Sequence, residues 1–350
     1  VGAADRQFVQ ALDPVRLTSA WHRSSFTAIA ANLGAPVGEE FEAEEFEGAD
    51  AVIEINEEAG IPDAVSVEKV VETPTVDKDE AIAQAEAFLR GAAAGDWMHK
   101  LFERVMNAQP ALRDEVLEGI KPALAASALL RRADPDRREA VLEAGTDLIE
   151  RYVKNTIHCE FFNAATFGAT DDGKGAFELN ELTGRDHICE MPFLLSVHNR
   201  TLFARCVAQC MTENGFAMES LRESALSGYL TGAIDMVFSA RGKYYILDWK
   251  SNWLGDKPED YSQEAMRAEI DRKHYALQYV IYLTALKRHL IAVGAADESD
   301  VWDRIGGVFY VFIRGTDAQA ALDNQGRRTG VYFDCPRKAV DALDALLKGN

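Results

Sequence analysis

Cysteine is scarce in this sequence. Five thiols, Cys159, Cys189, Cys206, Cys210 and Cys335, are spread through 350 residues, too few and too scattered for a disulfide framework. Cys206 and Cys210 lie four apart on an expected helix and could share a metal, but no second Cys pair or nearby His completes a zinc or iron–sulfur set. The thiols read as reduced and partly buried, in a cytoplasmic protein. Long apolar runs are missing as well. The longest uncharged stretch, 24–38, is interrupted by Asn32, Gly34 and Pro36 and falls short of the roughly 18 apolar residues of a spanning helix, so no membrane partner is expected. No secretory leader is expected, and the first residue is Val1 rather than Met; the chain is expected to be a piece of something longer or a processed chain. A Gly-x-x-x-x-Gly-Lys-Ser/Thr phosphate loop is absent, so an ATP-driven motor is not expected within it.

Positive charge is in short supply too, with 37 Lys and Arg against 57 Asp and Glu, a net of −20. Taken whole, that balance opposes a nucleic-acid partner, because phosphate binding rests on basic side chains. The charge is unevenly distributed, however. Residues 39–90 hold 17 acids and 3 bases, a net of −14, which leaves only −6 for all the rest. Charge therefore neither supports nor excludes DNA. What is plentiful is apolar content, at 47% with 27% charged residues. That suffices for a substantial core in one large domain or two ordinary ones.

Residues 1–38 contain a strand-like phrase, Val-Arg-Leu-Thr-Ser at 15–19, and then a short helical stretch. The acidic segment 39–79, with Pro62 and Pro74, has the composition of a linker or loosely ordered surface segment; an acidic mimic of DNA is the functional alternative. From 79 to 151 the pattern is helical. Met98, Leu101, Phe102 and Val105 fall at i, i+3, i+4 and i+7 on one face. Pro110, Pro122 and Pro135 punctuate the helices that follow, and another helix is expected over 138–156. The period then changes: 188–197, 229–239 and 243–249 read as strands, with Gly242 in the turn between the last two. A long helix is expected over 262–290 and a buried strand over 306–313. This order predicts an α/β fold, a mixed sheet flanked by helices.

The chemistry concentrates in one expected hairpin. Asp235 ends the apolar run 230–234, and Asp248 interrupts the run beginning at Tyr244. A carboxylate in such a run is costly unless paired or metal-bound. Asp248 and Lys250 are two apart, so they leave the same face of a strand. Two acids and an ammonium at one place suit a hard divalent cation and an activated water, with the lysine orienting or deprotonating that water or stabilising charge on phosphorus. A buried Asp–Lys ion pair in a hairpin, with Asp235 capping a turn, is the bland alternative.

Asp248-Trp-Lys250-Ser-Asn-Trp-Leu-Gly255, followed by Tyr261, Ala265-Met266, Tyr275, Leu277-Gln278-Tyr279 and Tyr282, resembles the nuclease domain of the RecB family, within the PD-(D/E)XK superfamily. The likeness continues outside the hairpin, from about Gly95 to Gly330. Gly95-Asp-Trp-Met-His99-Lys-Leu-Phe-Glu103 resembles the helix that supplies the family's metal-binding histidine, Glu190-Met-Pro-Phe193 its first core strand, and 306–315 its late core strand. The resemblance implies a restriction-endonuclease-like core with an extra helical N-terminal region. It divides the chain into 1–38, the end of a preceding helicase part; 39–79, an acidic linker; and 80–350, the nuclease domain.

By the same resemblance His99, Asp235, Asp248 and the backbone carbonyl of Trp249 would bind Mg²⁺, and Asp235, Asp248 and Lys250 would be catalytic. Gln278 and Tyr282, one helical turn apart on a face shared with Tyr275 and Tyr279, would support the site and the DNA strand, with Glu190 beside them. Trp249 stands where Tyr is usual, and Lys273-His274-Tyr275 stands where the family often has its His one place earlier, which leaves His274 without an assigned role. The implied function is Mg²⁺-dependent hydrolysis of single-stranded DNA in a RecBCD-type recombination and repair enzyme. Its partners would be RecC and RecD, with RecA loading as a linked role. The alternatives are a nuclease fold without activity that holds DNA or docks partners, and a free-standing nuclease that acts without a motor.

Overall fold

The computed structural model describes residues 22–25, 78–162, 177–197, 203–216, 218, 228–318 and 327–349. The strand expected over 15–19 and the acidic segment up to 77 lie outside the described residues; Lys78 and Asp79 open a helix. In chain order the strands are β1 (His22–Ser25), β2 (Glu160–Phe162), β3 (Phe177–Glu178), β4 (His187–Val197), β5 (Gly228–Ala240), β6 (Lys243–Lys250), β7 (Ile305–Phe312) and β8 (Val331–Asp334). The helices are α1 (Lys78–Phe88), α2 (Ala92–Asn107), α3 (Arg113–Glu118), α4 (Ile120–Ala126), α5 (Arg138–Ile157), α6 (Phe203–Glu213), α7 (Gln263–Arg272), α8 (Tyr275–Ala292), α9 (Val301–Arg304) and α10 (Arg337–Lys348).

Six strands form one sheet in the order β1-β5-β6-β7-β8, with β4 also paired to β5. The β1–β5 and β6–β7 pairs are parallel and the others antiparallel, which makes the sheet mixed, as expected. The β5–β6 hairpin turns at Arg241 and Gly242, both left-handed with φ of 51° and 74°. Two positive-φ residues are what a tight turn between right-twisted strands requires.

Each face of the sheet has its own core. Ile246, Val308, Tyr310 and Phe312 face α7, α8 and α10. Leu247, Trp249, Phe309 and Val311 face the helical layer α1–α5. The interior strands β6 and β7 are buried on both sides, which explains why they read as near-continuous apolar runs rather than alternating ones. In α2, Met98, Leu101, Phe102 and Val105 are all buried, the stripe that their spacing predicts. Trp249 stacks on Phe102 with ring centroids 4.5 Å apart, a contact that fixes β6 against the helix carrying His99 and adds about 0.5–1.5 kcal/mol beyond burial.

The single helix expected over 262–290 is two. α7 ends at Arg272, and His274, left-handed at φ 54°, starts α8. Neither Gly nor Pro marks the break, so the local sequence signals for a stop are missing. Burial runs along α8 from Ala276 to Leu290, broken at Gln278, Arg288 and exposed His289, and seats it in the same core as Met266 and Ile270 of α7. Pro110 and Pro135 each open a 3₁₀ turn, and Pro122 sits in the first turn of α4, where a missing N–H is tolerated.

Candidate active site

The site forms where β5 and β6 part. Their ladder runs as far as Met236 opposite Leu247, so Asp235 and Asp248 are the next residues on either side. Burial alternation along β5 slips here. Leu230, Ile234 and Val237 face one core, while Met236 and Phe238 face the other. An odd step between Ile234 and Val237 places Asp235 at the irregularity. Its Oδ2 accepts a 2.9 Å hydrogen bond from the backbone N–H of Trp249, and the Nδ1 of His99 on α2 lies 3.3 Å from the same oxygen. Burial, and then the negative charge of Asp248, push the Asp235 carboxyl up to about 6; His99, Lys250 and the Trp249 N–H act in the opposite direction.

Asp248 and Lys250 share one face of β6, as period-2 geometry requires, and both are buried, at 1% and 8% exposure. Lys250 Nζ lies 2.6 Å from Asp248 Oδ2. That oxygen is buried without an aligned hydrogen-bond donor, so the pair is held by charge rather than by a directed bond. The directed bond of Lys250 goes to Gln278 Oε1 at 3.0 Å. Burial lowers the Lys250 pKa, but Asp248, Tyr275 and Asp235 together more than offset it, and the net direction is upward. Lys250 is therefore an ammonium.

Gln278 is fixed at both ends of its amide. Its oxygen also accepts from Tyr310 Oη at 2.7 Å, and its nitrogen donates to Tyr282 Oη at 2.9 Å. The rings of Tyr275 and Tyr310 lie 4.0 Å and 4.6 Å from Lys250 Nζ, within cation–π range. Tyr279 departs from the expected shared face: its hydroxyl donates to Asp334 Oδ2 at 2.7 Å, away from Lys250. Positions 278 and 279 straddle the edge of the helical stripe, and only Gln278 turns toward the lysine.

Glu190 sits in β4 between Cys189, paired with Met236, and Met191, paired with Ile234, and so stands across from Asp235. It is left-handed at φ 50° inside a strand, a conformation that costs roughly 1–2 kcal/mol in a non-glycine residue. The residue is exposed. Partial enclosure first, and then the charges of Asp235 and Glu103, raise its carboxyl.

The structure thus gathers His99 with Asp235, Asp248 with Lys250, and Gln278 with Tyr282, and joins the first two groups through Trp249. Among the described residues no three His, Cys, Asp or Glu side chains already converge on a single point as a ready ligand set. Tyr310 is the site contact that sequence reasoning did not single out. Its signal was a polar tip inside the apolar run Val308-Phe-Tyr-Val-Phe. Among the described residues no helix is long and apolar enough to cross a membrane.

Comparison with known proteins agrees with this arrangement. The family model of the PD-(D/E)XK nuclease superfamily matches residues 71–347. The chain is 36% identical over 169 residues to the RecBCD enzyme subunit RecB of Haemophilus influenzae, covering 48% of this chain and 13% of that protein. It is 28% identical over 290 residues to the Escherichia coli subunit, covering 82% of this chain and 21% of that protein. The Mycobacterium tuberculosis subunit is 35% identical over 129 residues, covering 36% of this chain and 12% of its own length. The chain therefore spans about a fifth or less of these relatives. With the family matched over most of its residues and the sheet, helices and carboxylate hairpin in place, the chain belongs to the PD-(D/E)XK nuclease superfamily and is a RecB nuclease-domain-like protein.

Proposed function

We propose that this protein hydrolyses DNA phosphodiesters with Mg²⁺, as the nuclease domain of a RecBCD-type enzyme acting on single strands in double-strand-break repair and recombination. RecC and RecD would be its partner subunits, with RecA loading as a linked role. In the same reading residues 1–38 end a helicase part whose His22–Ser25 strand joins the nuclease sheet, 39–79 link it, and 80–350, together with Lys78 and Asp79 of α1, form the nuclease. The observation that carries the proposal is the meeting of Asp235 and Asp248 at the parting of β5 and β6, with His99 3.3 Å from one and Lys250 2.6 Å from the other.

The donor set fits a hard cation. The Oδ2 of Asp248 is buried without a directed donor, Asp235 carries a carboxyl raised by burial and its neighbour's charge, and His99 adds an imidazole. These residues, with the Trp249 carbonyl, would hold Mg²⁺, which keeps several of its positions for water and phosphate oxygens. When bound, the cation supplies charge stabilisation on phosphate and a more acidic water.

The chain's own groups do the rest. Lys250, already an ammonium, donates to the attacking water or to a phosphoryl oxygen and offsets charge developing on phosphorus. Gln278 and Tyr310 hold Nζ at one end of the site, so little reorganisation is left for the reacting state. Asp248 helps keep Lys250 charged, and His99 with the Trp249 N–H holds the Asp235 carboxylate in place. In-line attack by water forms its bond to phosphorus and breaks the bond from phosphorus to the 3′-oxygen; the water's proton passes to solvent and the leaving oxygen takes one from solvent.

The test is cleavage of end-labelled single-stranded DNA with Mg²⁺, with EDTA, and by Lys250→Ala. Cleavage that needs both the metal and Lys250 supports the reading. Cleavage unaffected by either overturns it, and absence of any Mg²⁺ binding would favour a docking module. Linear against circular single strands separates exonuclease from endonuclease action.

A further inference from the structure

Beside the catalytic hairpin is an aromatic side chain that the proposed mechanism does not use. Trp253 follows Lys250 by three residues, within about 11 Å of chain, and is 46% exposed. A lone exposed tryptophan would need no explanation. This one is built into place. Its indole N–H donates to Asp256 Oδ1 at 3.1 Å, and the guanidinium of Arg90 lies 4.1 Å from the ring centroid. Arg90 also reaches the same Asp256 oxygen at 3.7 Å.

The two backbone segments that carry this pair are far apart in sequence and are clamped together. Buried Arg314 donates through Nε to Ser251 O at 2.8 Å and through Nη2 to Leu89 O, two residues before Trp253 and one before Arg90. On the far side of Trp253, the hydroxyl of Tyr261 accepts from the Leu254 N–H and donates to Gly255 O, each at 3.2 Å. The Tyr261 ring packs where Gly315 lacks a side chain; a Cβ there would lie 2.1 Å from it. The indole is thus held at its backbone, its N–H and one face, and the residue stays 46% exposed.

We infer that Trp253, backed by Arg90, is a stacking platform for an unpaired nucleobase of the substrate strand next to the scissile phosphate. The inference rests on the reading of the protein as a DNA nuclease and deepens it. A flat aromatic face accepts any base, and the Arg90 guanidinium, itself paired with Asp256, supports the indole from one face. Bases in a duplex are stacked and paired, so their faces are not available to it. The platform favours single strands over duplex at this position.

The experiment measures binding of the full chain in EDTA to a short oligothymidylate and to an abasic oligodeoxyribose phosphate of equal length and charge. For the wild type, the base-bearing strand is expected to bind at least tenfold more tightly. Trp253→Ala should cut that advantage about tenfold while leaving abasic affinity within about twofold, in line with the loss of one base–aromatic stack. Trp253→Phe should restore most of it, and circular dichroism checks that each variant is folded. An advantage that persists undiminished in Trp253→Ala overturns the platform. So does equal binding of the two strands by the wild type, with the nuclease reading intact. Failure of the wild type to bind either strand overturns both.

Discussion

The backbone N–H of Trp249 donates to the side chain of Asp235 at 2.9 Å, just past the last ladder pair of β5 and β6. A carboxylate thus takes a donor that an unbroken ladder would give to a backbone carbonyl. One hydrogen bond satisfies a buried amide, ends the hairpin pairing and aims Asp235 into the gap that opens.

Burial of Asp235 beside the charge of Asp248 makes the metal-free protein sensitive to pH. The folded pKa of Asp235 is raised to about 6, above the ordinary value near 4. A raised carboxyl favours the folded state when protonated, so stability is lost as pH rises from about 4 through about 6. Asp235→Asn should therefore stabilise the chain in EDTA by about 1–3 kcal/mol at pH 7.5 and by little at pH 4. Thermal melts at the two pH values check this. Added Mg²⁺ should raise the melting temperature of the wild type and leave that of the variant unmoved.

Gln278 is expected to act through Lys250, since its amide oxygen accepts from both Lys250 and Tyr310. Lys250→Ala should lower kcat by about 10²–10³ or more. Gln278→Leu should lower it by roughly 10–100-fold, the scale of a group that orients a reacting one, with little change in DNA affinity. Tyr282→Phe removes only the acceptor for the amide nitrogen and should be the mildest of the three. Single-turnover rates under saturating Mg²⁺ rank them.

Arg113 holds the His99 helix to the approach of β4. It is 2% exposed, and its guanidinium donates to Val105 O at 3.1 Å and to Asn180 O, Asn180 Oδ1 and Leu182 O, each at 2.8 Å. Burial lowers its pKa, but the carbonyls satisfy its donors. Arg113→Ala leaves three backbone carbonyls without that donor and should cost about 2–4 kcal/mol. Arg113→Lys cannot reproduce the planar fork and should recover less than half of the loss. Urea titration of the two variants checks the order, and Mg²⁺ affinity should fall with stability because α2 carries His99.

Much of this protein was determined by local sequence. Short apolar runs bounded by turn residues set β4 to β7, and period-3.6 spacing set the buried stripe of α2. Arg241-Gly242 set the hairpin turn. The two-residue spacing of Asp248 and Lys250 put them on one face. Tertiary structure decided the rest. It broke the 262–290 helix at His274 without a local stop signal, because α7 packs against β8 while α8 packs against β7 and α10, and that packing outweighs helix propensity. It turned Tyr279 away to Asp334 while Gln278 met Lys250, a choice of rotation around a helix that spacing does not resolve. And it brought His99 from more than a hundred residues away to within 3.3 Å of Asp235. Such a contact depends on how a helix and a sheet pack across a shared core, on Phe102 against Trp249, and on Arg113 across the chain, none of which has a period to read.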